Sequence, residues 1–176
     1  TMSIQRSDIS SNSGTGIYNG SKCTIIDSVF SNNTTGIANY GTMSVQGSTV
    51  SSNSGTGIHN GSNCTITDSL FSSNTTGIRN YGTMIVQNCT ISTNGGNGIH
   101  SKGSNIEILN CSITGNSSTG IILNNSGSNS RVQSCNIIDN IGYGVDGSNF
   151  EVKDSIFSGN GNFAVRGSNY SVEGCQ

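Results

Sequence analysis

Residues 2–42 read MSIQRSDISSNSGTGIYNGSKCTIIDSVFSNNTTGIANYGT, and residues 43–83 read MSVQGSTVSSNSGTGIHNGSNCTITDSLFSSNTTGIRNYGT. The two blocks agree at about three-quarters of their positions and meet without a gap. Each block also divides into two similar halves, so the repeating unit is roughly 20 to 24 residues, a length typical of solenoid coils. Units begin at Met2, Cys23, Met43, Cys64, Met84, Ile106, Ser130 and Phe150, and a ninth starts at Tyr170 without finishing.

Stacking the units produces columns. One reads Ile4, Ile25, Val45, Ile66, Val86, Ile108, Val132, Val152, Val172, and a second reads Ile9, Phe30, Val50, Phe71, Ile91, Ile113, Ile137, Phe157. A third reads Ile17, Ile37, Ile58, Ile78, Ile99, Ile121, Val145, Val165. These β-branched and aromatic positions alternate with Ser, Thr, Gln and Asn in short runs broken by Asn and Gly, which is the pattern of short strands joined by turns. A small-residue column, Ser7, Ser28, Ser48, Ser69, Cys89, Cys111, Cys135, Ser155, Cys175, lies between the first two. No segment holds a helical period.

Three short strands cannot bury a core alone, so each coil must cover the next, with side chains repeating at ~4.8 Å along the stack. The expected fold is therefore all-β, a parallel β-solenoid of three short strands per coil and about eight full coils, with residues 1–176 forming a single domain. One polar column never varies: Asn12, Asn33, Asn53, Asn74, Asn94, Asn116, Asn140 and Asn160. Asn tolerates left-handed backbone geometry and its amide both donates and accepts, so these residues are expected to form a structural ladder at a tight turn. A Gly precedes the third strand in each coil, from Gly16 to Gly144, with Ala164 in the last. Such a position suits a bend or a close backbone approach.

On these residues the chain resembles the right-handed parallel β-helix repeats of the pectate-lyase-like superfamily, whose coils carry a similar Asn ladder and a recurrent Gly-Ile. The handedness is implied by that resemblance. The Phe-x-x-Asn segments ending at Asn33, Asn74 and Asn160 also look like repeats of bacterial polymorphic outer-membrane proteins, although any coil with Phe in the core and Asn at the turn generates them. Members of the superfamily that cut or epimerise acidic polysaccharides use clustered carboxylates with calcium and a nearby basic residue. This sequence departs from that pattern. Asp27, Asp68 and Asp154 share a column, but the nearest two are separated by a whole coil, about 9.6 Å apart. Calcium needs about six to eight oxygens at roughly 2.3 to 2.6 Å, which that spacing does not supply. His59 and His100 share an outward column with Arg79 between them, an arrangement that disfavours a metal and reads as a solvated face. No catalytic residue, metal site or cofactor is expected. Glu107, Arg131 and Glu151 at one outward position, and Gln133, Lys153 and Glu173 beside them, read as structural rungs.

Composition narrows the partners. Only 9% of residues are charged and the formal charge is -2, so nucleic acid is excluded for want of a clustered basic footprint. No apolar run approaches the roughly 18 residues that span a bilayer. The six cysteines fall in inward columns and are expected to be free buried thiols. Near-duplicate coils, weak surface charge and no clustered site give the leading expectation: a non-enzymatic extracellular structural solenoid, serving as a rod, stalk or filament subunit at a cell surface. The alternative is a carbohydrate-binding or carbohydrate-processing β-helix, with Tyr18, Tyr40, Tyr81 and Tyr143 stacking on a polysaccharide. Ice binding ranks third, because the best outward Ser/Thr row is broken at Ile138. The chain starts at the first strand of a coil and stops one strand into another, so self-association, or continuation of a longer solenoid through open ends, is expected.

Overall fold

The computed structural model describes residues 1–124 and 129–176. Strands in register with their counterparts one coil away build the whole structure, and every pairing is parallel. In the second coil the strands are Lys22–Ile26, Val29–Ser31 and Thr35–Asn39, and in the third they are Thr42–Gln46, Thr49–Ser51 and Thr56–Asn60. Second strands form their own eight-stranded sheet, and first and third strands belong to a fifteen-stranded one. The register reproduces the sequence columns: Ile25 faces Val45, Val45 faces Ile66, and Ile66 faces Val86.

Alternation along each strand sends one side chain in and the next out. Ile25, Ile37, Val45, Ile58, Ile66, Phe30 and Phe71 are all fully buried. Burying one such side chain contributes about 1.5–3 kcal/mol. The small-residue column closes the first turn. Ser28 Oγ accepts from the Ser7 amide at 3.2 Å, Ser48 Oγ from the Ser28 amide at 3.1 Å, and Cys89 Sγ from the Ser69 amide at 3.5 Å.

The turns depend on single left-handed residues. After the first strand these are Arg6, Asp27, Gly47, Asp68, Asn88, Asn110, Ser134, Asp154 and Gly174, and after the second they include Ser11, Asn32, Ser52, Ser73, Thr93 and Asp139. The ladder asparagines do not take this conformation. Each follows the left-handed residue, which frees its amide to point into the stack. Asn53 Oδ1 accepts from the Asn33 amide at 3.0 Å, while Asn53 Nδ2 donates to Asn74 Oδ1 at 2.8 Å and to the Phe30 carbonyl at 3.1 Å. Asn74, Asn94, Asn116 and Asn140 repeat the arrangement, and Asn12 and Asn160 end the row.

A second amide row, absent from the sequence reading, stands at the third corner. Asn19 Nδ2 donates to Asn39 Oδ1 at 2.7 Å, Asn39 to Asn60 at 2.7 Å, Asn60 to Asn80 at 2.6 Å, and Asn80 to Ser101 Oγ at 3.0 Å. The same side chains cap the bend locally, as when Asn19 Oδ1 accepts from the Ser21 amide. The column continues through Leu123 to Gly147 and Gly167. With glycine in that column, Val145–Lys153 and Val165–Glu173 each join a third strand to the next first strand, and Asn149 and Asn169 turn the chain within them at φ of 57° and 50°.

The ladder and the Gly column set the stability of the stack. A Cβ on Gly77 would lie 2.6 Å from the Gly98 carbonyl oxygen and 2.9 Å from Ile91 Cγ2, whereas nothing lies within 4 Å of one on Gly14. Gly77→Ala should lower the unfolding free energy by about 1–3 kcal/mol, while Gly14→Ala leaves it unchanged or slightly raised. Asn74→Ala strips partners from the Asn53 amide and side chain and should cost roughly 2–4 kcal/mol. Urea melts of the three variants check this ordering.

Candidate functional site

Each third strand turns its isoleucine or valine inward and presents the following residue to solvent. Register pairing aligns those residues into one outward row: Tyr18, Ala38, His59, Arg79, His100, Ile122, Asp146 and Arg166. Seven strand steps make this row about 34 Å long. Tyr40 and Tyr81 stand two residues beyond it, at the corner. Ala38 leaves a gap in the row, and Tyr40 leans across it. The ring centroids of Tyr18 and Tyr40 are 5.4 Å apart, those of Tyr40 and His59 5.6 Å, and those of His59 and Tyr81 5.3 Å. Gly61 makes room for this, because a Cβ there would sit 2.9 Å from Tyr40 Cδ1. Four rings thus form a continuous zigzag ridge across four coils, with Tyr18 67%, Tyr40 50% and Tyr81 46% exposed.

Positive charge follows the rings. Arg79 lies between His59 and His100, and Lys102 stands at the corner beyond His100. The ion pairs formed among the described residues are Arg131 with Glu107, Lys153 with Glu151 and Glu173, and Arg166 with Asp146, so Arg79 and Lys102 have no carboxylate partner there. Arg79 Nε and His100 Nε2 are enclosed and make no hydrogen bond. Leaving such groups unpaired is costly, which marks the spot as one where protein contacts alone do not satisfy the polar groups. The expectation of a solvated face is corrected accordingly: His59, Arg79 and His100 are half-buried. Burial and then the Arg79 charge hold the His59 imidazole below its ordinary value, and burial, Arg79 and Lys102 do the same for His100.

The other candidate residues disperse. Asp27, Asp68 and Asp154 occupy the left-handed turn position with φ of 49°, 52° and 48°, where Asp, Asn and Gly are favoured for conformational reasons. Asp68 accepts from Asn88 Nδ2 at 3.1 Å. The charged rungs form only partly as expected: Arg131 meets Glu107 at 3.4 Å, but Glu151 pairs with Lys153 at 3.0 Å rather than with Arg131. These pairs lie at the surface, where solvent screening leaves them weak. Cys23, Cys64, Cys89, Cys111 and Cys135 are buried free thiols, and burial pushes the Cys64 thiol up to about 12. Cys175 is only half-buried.

A family described as right handed beta helix region matches residues 59–176. No curated protein matches the chain by sequence. Among solved structures, a variant of the periplasmic alginate epimerase AlgG superposes with a TM-score of 0.68 at 14% identity, over 86% of this chain and 50% of that one. The A-module of the mannuronan C-5 epimerase AlgE4 from Azotobacter vinelandii gives 0.63 at 12% identity, over 97% of this chain and 55% of that one. The chain therefore spans about half the length of these neighbours. They overturn the expectation of a rod, stalk or filament subunit, because the solved proteins that share the coil stack are carbohydrate-processing enzymes.

The imidazoles predict a pH effect with a definite sign. A histidine whose folded pKa lies below the ordinary 6.5 contributes stability that is present above pH 6.5 and lost as pH falls through the folded value. Urea midpoints measured downward from pH 6.5 should decline, and the decline should be shallower in the His59→Gln, His100→Gln double variant.

Proposed function

Because the chain belongs to the right-handed β-helix family, we propose that it is a carbohydrate-binding β-helix that grips an acidic polysaccharide along the ridge from Tyr18 to Lys102 without catalysing its conversion. The observation that carries this reading is the junction of a four-ring strip, its three tyrosines exposed, with cations that no carboxylate among the described residues pairs with. A pyranose ring has a flat face of C–H groups that packs on an aromatic ring and hydroxyls that stay in water. Successive coils rise by about 4.8 Å, so a glycan laid along the axis meets a fresh side chain at each step. The planar guanidinium of Arg79 suits a carboxylate, which it can hold through two parallel N–H donors. Protonation of His59 or His100 would add charge, so the polysaccharide binds more tightly as pH falls.

The names of AlgG and AlgE4 support carbohydrate as the ligand class, and the ridge's own charge selects the acidic kind. AlgG is periplasmic, which favours a site outside the cytoplasm for this chain too, either extracellular or periplasmic. The non-catalytic part rests on the carboxylates: Asp27, Asp68 and Asp154 lie at turns, and Asp146 is tied to Arg166 at 2.9 Å.

Affinity electrophoresis and calorimetry with polyuronates should detect binding that weakens with salt and drops on Arg79→Ala. Tyr40→Ala and Tyr81→Ala should each weaken it by up to roughly tenfold, the upper end of ~0.5–1.5 kcal/mol for an aromatic contact. Equal retention of all variants, or no binding at low salt, would overturn the ridge as the site. Release of unsaturated ends, reducing ends or epimerised residues would overturn the non-catalytic reading.

A further inference from the structure

We propose that Asn60, Asn94 and Asn160 are latent modification sites, kept as amides by the coil stack and converted irreversibly to aspartate or isoaspartate by the following glycine once a coil opens. Each precedes a glycine, at Gly61, Gly95 and Gly161. An Asn-Gly pair is chemically vulnerable because glycine has no Cβ to hold its amide nitrogen away from the asparagine side chain. The reaction needs only water. At Asn94, the Gly95 amide gives up its proton, its nitrogen bonds to Asn94 Cγ, the Cγ–Nδ2 bond breaks, and ammonia leaves carrying a proton. Water then adds to either carbonyl of the five-membered imide, giving aspartate or, with the chain rerouted through the side chain, isoaspartate. Nothing is oxidised or reduced.

In the folded stack both reactants are tied up. The Gly61 amide donates to the Asn39 carbonyl at 2.7 Å, the Gly95 amide to the Asn74 carbonyl at 2.8 Å, and the Gly161 amide to the Asn140 carbonyl at 2.8 Å, each one coil back. The electrophile is held as firmly. Asn94 Oδ1 accepts from the Asn74 amide at 3.0 Å and from Asn74 Nδ2 at 3.2 Å, while Asn94 Nδ2 donates to the Phe71 carbonyl at 3.2 Å and to Asn116 Oδ1 at 2.9 Å. Asn60 Nδ2 donates to Asn80 Oδ1 at 2.6 Å, and Asn160 Nδ2 to the Ile137 carbonyl at 2.8 Å. Neighbouring coils supply these bonds, so nitrogen meets carbon only when coils separate, and the reaction records that opening.

Conversion closes the way back. An ionised carboxylate has no donor, so at Asn94 it would set an oxygen where Nδ2 now stands, against the Phe71 carbonyl and Asn116 Oδ1 in a fully buried site. Isoaspartate also lengthens the backbone, against a register that the core columns fix. Asn97, which precedes Gly98, makes a contrast within the same coil. Its Oδ1 accepts from the Thr119 amide at 3.1 Å, and an aspartate keeps that acceptor.

The test is peptide mapping by mass spectrometry of the whole chain held in mildly alkaline buffer, with and without urea. Asn60, Asn94 and Asn160 should convert in urea and, in native buffer, roughly 10³-fold or more slowly, in line with the fraction of open chain. Asn74→Ala, which removes a donor from Asn94 Oδ1, should speed conversion at Asn94 in native buffer by roughly tenfold or more. A Cβ on Gly95 would meet nothing nearer than the Asn74 carbonyl oxygen at 3.8 Å, so Gly95→Ala should keep the urea midpoint while losing most of the Asn94 conversion in urea. Asn94→Asp should lower the urea midpoint and Asn97→Asp should leave it unchanged. Equal conversion rates with and without urea overturn the protection by the stack. Undiminished Asn94 conversion in Gly95→Ala overturns the glycine route. Full refolding of chain converted at Asn94, with the parent's urea midpoint, overturns irreversibility.

Discussion

The buried ladder amides of each coil find their partners in the coils on either side. Asn53 shows the arithmetic. Its Oδ1 accepts from the coil before, and its Nδ2 donates once to the coil after and once to a carbonyl of the coil before. An amide buried this deeply without partners would cost more than the surrounding side chains return, so an isolated coil is not a stable object. Register follows from the same constraint. A slip of one residue would place Ile25 outside and open the ladder at once, so hydrophobic and polar columns enforce one alignment together.

The inward half of this structure was legible because its physics is repetitive. A residue at Ile66 meets Val45 and Val86 above and below it in register, so each column reports its own environment and stacking the sequence exposes it. The asparagine row was recognised for its amides, yet its backbone role was misplaced, since the left-handed conformation falls on the residue before. That position tolerates Ser, Asn, Thr, Asp and Gly, and so looks like noise in a column. The second row, Asn19 to Asn80, was legible in principle from its spacing, but it gives way to Ser101, Leu123 and glycine, and a column that changes halfway attracts no notice.

The ridge was hidden for a different reason. Tyr18 and His59 belong to one column and Tyr40 and Tyr81 to another, and only the lean of Tyr40 across Ala38 makes them a single strip. Duplication of the 41-residue block accounts for the recurrence of Tyr40 as Tyr81, but not for what the copies then became. Tyr18 is matched by His59 and Ala38 by Arg79, so the outward row diverged into rings and cations while the inward residues beside them, Ile17 and Ile58, Ile37 and Ile78, stayed isoleucine. A packed interior penalises a change of even one methylene, and an outward position has no such constraint.

That asymmetry limits what sort of ligand the fold can recognise. Inward columns are committed to holding coils together, and the corners are committed to amide caps and left-handed residues, so recognition must be written in the outward rows. A row offers one side chain per coil at a fixed rise and on a straight line, which makes a poor cage for a compact molecule and a good track for a linear polymer. The Asn-capped corners add to this by setting Tyr40 and Tyr81 beside the row, where Asn39 and Asn80 accept from the Gly41 and Gly82 amides.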